Sequence, residues 1–108
     1  MANTFKSFTS GSIGTTLTDV YTCPSSTTTI ILGASIANTH SNPIGGSIKL
    51  SKNSGDNVFI VKQAPVPVGS TVEVMSGNKV VLEASDKLQF QSDTSSSLDS
   101  IVSLLEIT

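Results

Sequence analysis

The chain has 108 residues, 37% of them hydrophobic and only 13% charged, with a net charge of −2. That length is expected to make one domain, residues 1–108, which buries about two-thirds of its unfolded surface without metal or disulfide staples. Six Lys and no Arg leave neither the basic patch nor the guanidinium forks on which nucleic-acid recognition leans, so nucleic acid is not an expected partner.

Average globular proteins carry roughly twice this share of charge. Ser and Thr, together 32 residues, supply the missing polarity, and β-branched Thr suits an exposed strand face. The opening "MANTFKSFTSG" has no basic region followed by an apolar run, so no signal peptide is expected. No run approaches the roughly 20 apolar residues of a membrane span. The expectation is a soluble chain made in a cytoplasm, with no membrane partner.

In chain order, no stretch longer than two turns follows the i, i+3, i+4 pattern of an amphipathic helix, whereas period-2 alternation recurs. Two short runs, "TFKSFTS" and "GTTLTDVYT", come before residue 24. In "TTTIILGASIAN", Ile30, Leu32, Ala34 and Ile36 alternate with Ile31, Gly33, Ser35 and Ala37. The second set is small and nearly apolar, so this strand is expected to be covered on both sides. "GGSIKLSKN" sets Ile48 and Leu50 against Lys49 and Ser51, and "DNVFIVKQ" sets Val58 and Ile60 against Phe59 and Val61. "STVEVMS" and "KVVLEA" flank Gly77-Asn78, as a tight hairpin requires. "KLQFQS" sets Leu88 and Phe90 against Lys87, Gln89 and Gln91. "DSIVSLLEIT" sets Ile101, Leu105 and Ile107 against Val102, Leu104 and Glu106. Turn residues separate these runs at about ten-residue spacing, which predicts an all-β, antiparallel, jelly-roll-like sandwich of eight or nine short strands.

The segment "QAPVPVG" (63–69) joins two of these runs. Proline lacks an N–H and is kept out of central strands, and it pushes the residue before it into an extended conformation. Ala64 and Val66 are therefore expected to be extended, Pro65 and Pro67 to make a polyproline-like rod that does not pair, and Gly69 to turn the chain. Such a rod is a crossover between sheets and a blocked edge. Its valines, Val66 and Val68, either plug the end of the sandwich or meet a neighbour.

Chemistry-bearing residues are sparse. His40 is the single histidine, and no Gly-x-Ser-x-Gly motif accompanies it, so it reads as a surface loop residue. Cys23 precedes Pro24 with nothing cationic nearby in sequence and reads as a buried, inert thiol. One Cys allows no internal disulfide, and a zinc site needs about four Cys or His ligands. Asn53, Asp56 and Asn57, or Asp93 and Asp99, offer oxygens for calcium, but the spacing matches no calcium loop and these are ordinary turn residues. Glu73, Glu83 and Glu106 read as solvated charges on polar strand faces rather than as paired catalytic carboxylates. No catalytic residue, cofactor or metal is expected, and the chain does not read as an enzyme.

The strand ending "VKQAPVPVG", the following "KVVLEASDKL" and the closing "IVSLLEI" resemble a pattern in small virion proteins of tailed bacteriophages, especially those of marine bacteria and cyanobacteria. The resemblance runs from about residue 12 to 108. The family pattern often has Gly where this chain has Ser85; if that glycine takes positive φ, Ser85 bears on the turn type and not on the fold. The resemblance implies a non-enzymatic structural protein of the virion, made in the host cytoplasm. Its first implication is a capsid decoration or cement protein bound to the major capsid protein or other virion proteins, as a homo-oligomer with a trimer favoured. Residues 1–11 would be an extended N-terminal arm, and Phe5, Phe8, Val66 and Val68 would be the contacts. Against that, Phe5 and Phe8 belong equally to a first strand that completes its own sheet. Two other readings stay open: a tail, neck, baseplate or fibre component, and a carbohydrate- or receptor-binding sandwich module. The latter asks for an aromatic-lined groove, with Tyr21 and the Phe residues as candidates.

Overall fold

The computed structural model describes residues 2–74 and 79–108. Among these described residues nine strands follow one another: β1 (Asn3–Ile13), β2 (Thr18–Thr22), β3 (Thr28–Asn38), β4 (Ile44–Ser51), β5 (Val58–Val66), β6 (Thr71–Glu73), β7 (Val80–Leu82), β8 (Lys87–Ser92) and β9 (Leu98–Ile107). One sheet runs β1-β9-β3, with β6 and β7 both on the far side of β3, and the other runs β2-β8-β4-β5. Every pairing is antiparallel. β6 lies against Ala37 to Ser35 and β7 against Ile31 to Thr29, so the two continue each other in direction and share one strand position. Counted that way, the order is that of an eight-stranded jelly roll, and the expected antiparallel β-sandwich is the observed fold. Among the described residues no helix is long and apolar enough to cross a membrane.

The hairpin expected at Gly77-Asn78 falls on residues outside the described ones. Among the described residues, the strands on either side correct the pairing: β6 and β7 each bond to β3 rather than to each other.

Alternation along β3 is interrupted. Thr29 and Ile31 are buried, the register with β9 slips between Ile31 and Gly33, and Ala34, Ile36 and Asn38 are buried thereafter. A bulge inserts one residue and swaps the side-chain parity. The grouping of Ile30 and Leu32 with Ala34 and Ile36 is thus corrected; the first pair faces outward and the second inward. The Glu73 carboxylate braces the slip, accepting the Ala34 N–H at 3.1 Å and the Ser35 hydroxyl at 2.6 Å.

The core closes between the two inner faces. Ile31, Ile36, Val102 and Leu104 meet Ile44, Ile48, Leu88 and Phe90, all buried. Each such side chain contributes about 1.5–3 kcal/mol on leaving water. β4 comes close to β3 because it carries Gly46: a Cβ there would lie 2.5 Å from Ile36 Cδ1.

Two further expectations change. The proline connector pairs after all, as Ile44, Gly45 and Gly46 of β4 face Val66, Pro65 and Ala64. β5 is the outer strand of its sheet, and Gly45 directs its carbonyl to the Asp93 N–H on the opposite side. Pro65 therefore sits in a non-bonded pair, where an N–H would point outward, and this is the place a strand tolerates proline. The unpaired crossover shrinks to the turn Pro67–Ser70, closed by Ser70 N–H to Pro67 O at 3.1 Å, with Gly69 at φ 70° as expected of a turn glycine. The extended arm is likewise corrected: Asn3 to Ser10 pair residue for residue with Ile107 to Ser100 of β9.

Candidate functional site

The four sequence-derived contact residues are not brought together. Phe5 stands 73% exposed on the outer side of β1. Phe8, on the opposite side, is half-buried and tilted against Tyr21 with ring centroids 4.9 Å apart. Val66 is corrected to a core residue, 1% exposed, while Val68 at the turn is 51% exposed. Strand parity separates Phe5 from Phe8, which are three residues apart and so face opposite ways, whereas β5 ends at Val66 and the turn that follows carries Val68 off the end of the sheet.

Phe5 belongs to a surface that sequence reasoning missed. Register places Phe5 opposite Leu105, Leu105 opposite Ile30 and Ile30 opposite Val81, a transverse row across β1, β9, β3 and β7. Leu32, pushed outward by the bulge, lies beside it, and the exposed Ile101 stands farther along β9 beyond Ser103. Between Phe5 and Leu32 the small cross-strand pair Ser7–Ser103 leaves a shallow hollow of about 300 Å³. A detectable signal lay in β3 and β9, whose two faces are both apolar in sequence.

The outer face of the four-stranded sheet is different. Asp19 lies between Lys87, at 3.3 Å, and the Gln89 amide, at 2.7 Å. The Gln89 bond first, and Lys87 with it, outweigh burial and hold the Asp19 carboxyl below its ordinary range. Lys49 and Lys62 flank the Phe59 ring at 5.5 and 5.2 Å.

Between the sheets at one end lies a polar network. Glu106, 5% exposed, accepts the Tyr21 hydroxyl at 2.7 Å and pairs with Lys6 at 2.8 Å. Its expected place on a solvated face is corrected, because Leu98, Ser100, Val102, Leu104 and Glu106 together form the inward side of β9. Tyr21 is also 2.7 Å from the Thr29 hydroxyl, which lies 3.2 Å from Cys23 Sγ. The Lys6 bond first, then the Tyr21 hydroxyl, hold the Glu106 carboxyl below its ordinary value against the opposing effect of burial. Burial, with the Glu106 charge, raises the Tyr21 hydroxyl well above its own. A phenol that stays protonated and a carboxylate that stays charged make a fixed hydrogen bond rather than an acid–base pair. Tyr21, 4% exposed, offers no platform to a sugar, and Cys23, 1% exposed, is buried as expected.

Asp86 is a second buried tie. Its carboxylate accepts the Asn53 and Glu83 amides, each at 2.9 Å, and meets the Lys52 ammonium. Burial pushes this carboxyl up, but those donors together hold it below its ordinary range. His40 accepts the Asn42 N–H through Nδ1 at 3.1 Å within its own loop. Asn57 accepts the Lys52 amide within its own turn, whereas Asp99, on β9, accepts the Ser12 amide of β1. Among the described residues, no three His, Cys, Asp or Glu side chains converge as metal ligands.

A scan against protein-family models gives no match, and a search of curated proteins gives none either.

Proposed function

We propose that this chain is a non-enzymatic structural subunit of a tailed-phage particle, a decoration protein that binds the major capsid protein as a homo-oligomer, a trimer first. The observation that supports protein binding is the asymmetry of the sandwich. One outer face is charged and amide-rich, its exposed Phe59 set between two lysines, whereas the other carries the Phe5–Leu105–Ile30–Val81 row with Leu32 beside it. A contiguous exposed apolar patch on a small chain is a surface that a partner covers. The hollow between Phe5 and Leu32 suits one inserted side chain, as interface anchors require. The phage particle itself rests on the resemblance of "VKQAPVPVG", "KVVLEASDKL" and "IVSLLEI".

The test is stoichiometry of purified particles by calibrated mass measurement. A copy number comparable to that of the major capsid protein is expected. Far fewer copies would move the chain to the tail, and absence would end the virion reading. The paired variant Phe5→Asp with Val81→Asp should fold with stability changed by no more than about 0.5 kcal/mol, since both side chains are exposed, and should fail to join particles. Normal incorporation would remove this face from the interface.

A further inference from the structure

The outer face of the four-stranded sheet carries a second hollow, of about 170 Å³, lined by Thr15, Ser47, Gln63, Gln91, Ser92 and Asp93. Its floor is open because β4 has no side chain at Gly45. A Cβ there would sit 3.1 Å from Asp93 Oδ2 and 3.4 Å from Gln63 Cβ. Gln63 takes φ 51° where the β4–β5 register slips, a conformation that costs a non-glycine residue free energy. Its N–H donates to Ser47 Oγ at 2.8 Å, and Ser47 is only 4% exposed. Gln91 spends its amide N–H on the Thr15 carbonyl at 2.7 Å. Asp93 Oδ1 accepts the Thr94 hydroxyl at 2.9 Å. Among the described residues, Asp93 Oδ2, Gln91 Oε1, the Gln63 amide and the Thr15 hydroxyl make no hydrogen bond.

We infer that this hollow binds a single sugar residue, a pyranose presenting adjacent hydroxyls. The space holds five or six waters at roughly 30 Å³ each, the size of one such ring. Its groups fit hydroxyl chemistry: a carboxylate oxygen accepts two O–H donors, and the Gln63 amide both donates and accepts. A single carboxylate makes a poor site for a hard divalent cation, which takes six or more oxygens and more charge. With no aromatic wall, the affinity of one site falls in the roughly millimolar range, and several copies on one body would multiply it. This inference stands apart from the assembly reading and survives its failure.

The experiment is amide NMR titration of the full chain with free glucose, galactose, mannose and N-acetylglucosamine, each to high millimolar concentration. At least one sugar is expected to shift amides at 15, 45–47, 63 and 91–93 and leave the apolar face unmoved. Asp93→Ala should weaken binding about tenfold, the loss of one strong hydrogen bond. Gln63→Gly relieves the positive φ and removes the amide, so it should raise thermal stability while weakening sugar binding. A structural role alone would give only the first effect. No shift with any sugar, shifts unaltered by Asp93→Ala or Gln63→Gly, or the same shifts produced by calcium instead would overturn the inference.

Discussion

Ser85 stands at φ 73° in the turn that Asp86 N–H closes onto the Glu83 carbonyl at 3.0 Å. That is the third position of a type II turn, which asks for glycine, and an L side chain there costs about 1 kcal/mol. Ser85→Gly is therefore expected to stabilise the chain by roughly 0.5–1 kcal/mol in urea unfolding; a loss of stability would mean the serine hydroxyl matters more than the backbone. Glu106 contributes to the loss of stability in acid. Its carboxyl is held below the ordinary 4.5, so the folded chain takes up this proton at lower pH than the unfolded chain. The stabilisation is complete above that ordinary value and disappears as pH falls through the folded one; Asp86 behaves alike below 3.8. Glu106→Gln should cost about 2 kcal/mol at neutral pH and little in strong acid, seen as a flatter dependence of unfolding free energy on pH. An unchanged slope would remove Glu106 from the acid response.

At the scale of elements, β1 and β5 decide what the termini and the proline segment are for. β1 pairs with β9 and supplies both Phe8 to Tyr21 and Lys6 to Glu106. Deleting residues 1–9 would expose the β9 edge and leave Glu106 without its ammonium, so a large fall in melting temperature or outright unfolding is expected. A melting temperature near that of the full chain would show that β1 docks weakly and is available to a partner. β5 divides its valines. Val66→Asp places a carboxylate in the core beneath β4 and should cost several kcal/mol, whereas Val68→Asp, at an exposed turn, should stay within about 0.5 kcal/mol. Equal effects in thermal unfolding would contradict the pairing of Val66 with Ile44.

For the whole molecule, the separation of the sheets and the contrast between their outer faces are the controlling features. Gly46 allows the approach, and Gly46→Ala drives a methyl into Ile36, which is fully buried and has little room to repack. Such overpacking is expected to cost about 1–3 kcal/mol by calorimetry; a neutral result would place slack between β3 and β4. The two outer faces then offer different work to one fold. The apolar face can be covered by a protein surface, and the polar face carries a hollow for a small hydroxylated ligand.

Strand number, class and most turns were legible in the sequence, because alternation and turn chemistry are local and need no partner. The extended state of Ala64 and Val66 was legible too, since the proline after each sets it, and so was the turn at Gly69. Which face turned inward was not. Alternation sorted Glu106 correctly with Val102 and Leu104, yet whether that side was wet or buried depended on Tyr21, 85 residues away. The slip in β3 lies in its pairing with β9, distant in sequence, beside the hydrogen bonds from Glu73 of β6, and it puts Ile30 and Leu32 outside. The polar hollow gathers residues from β4, β5, β8 and the loops after β1 and β8, with no spacing to announce it. Local chemistry determined which residues share a face; the packing of the second sheet decided which faces became core and which stayed exposed.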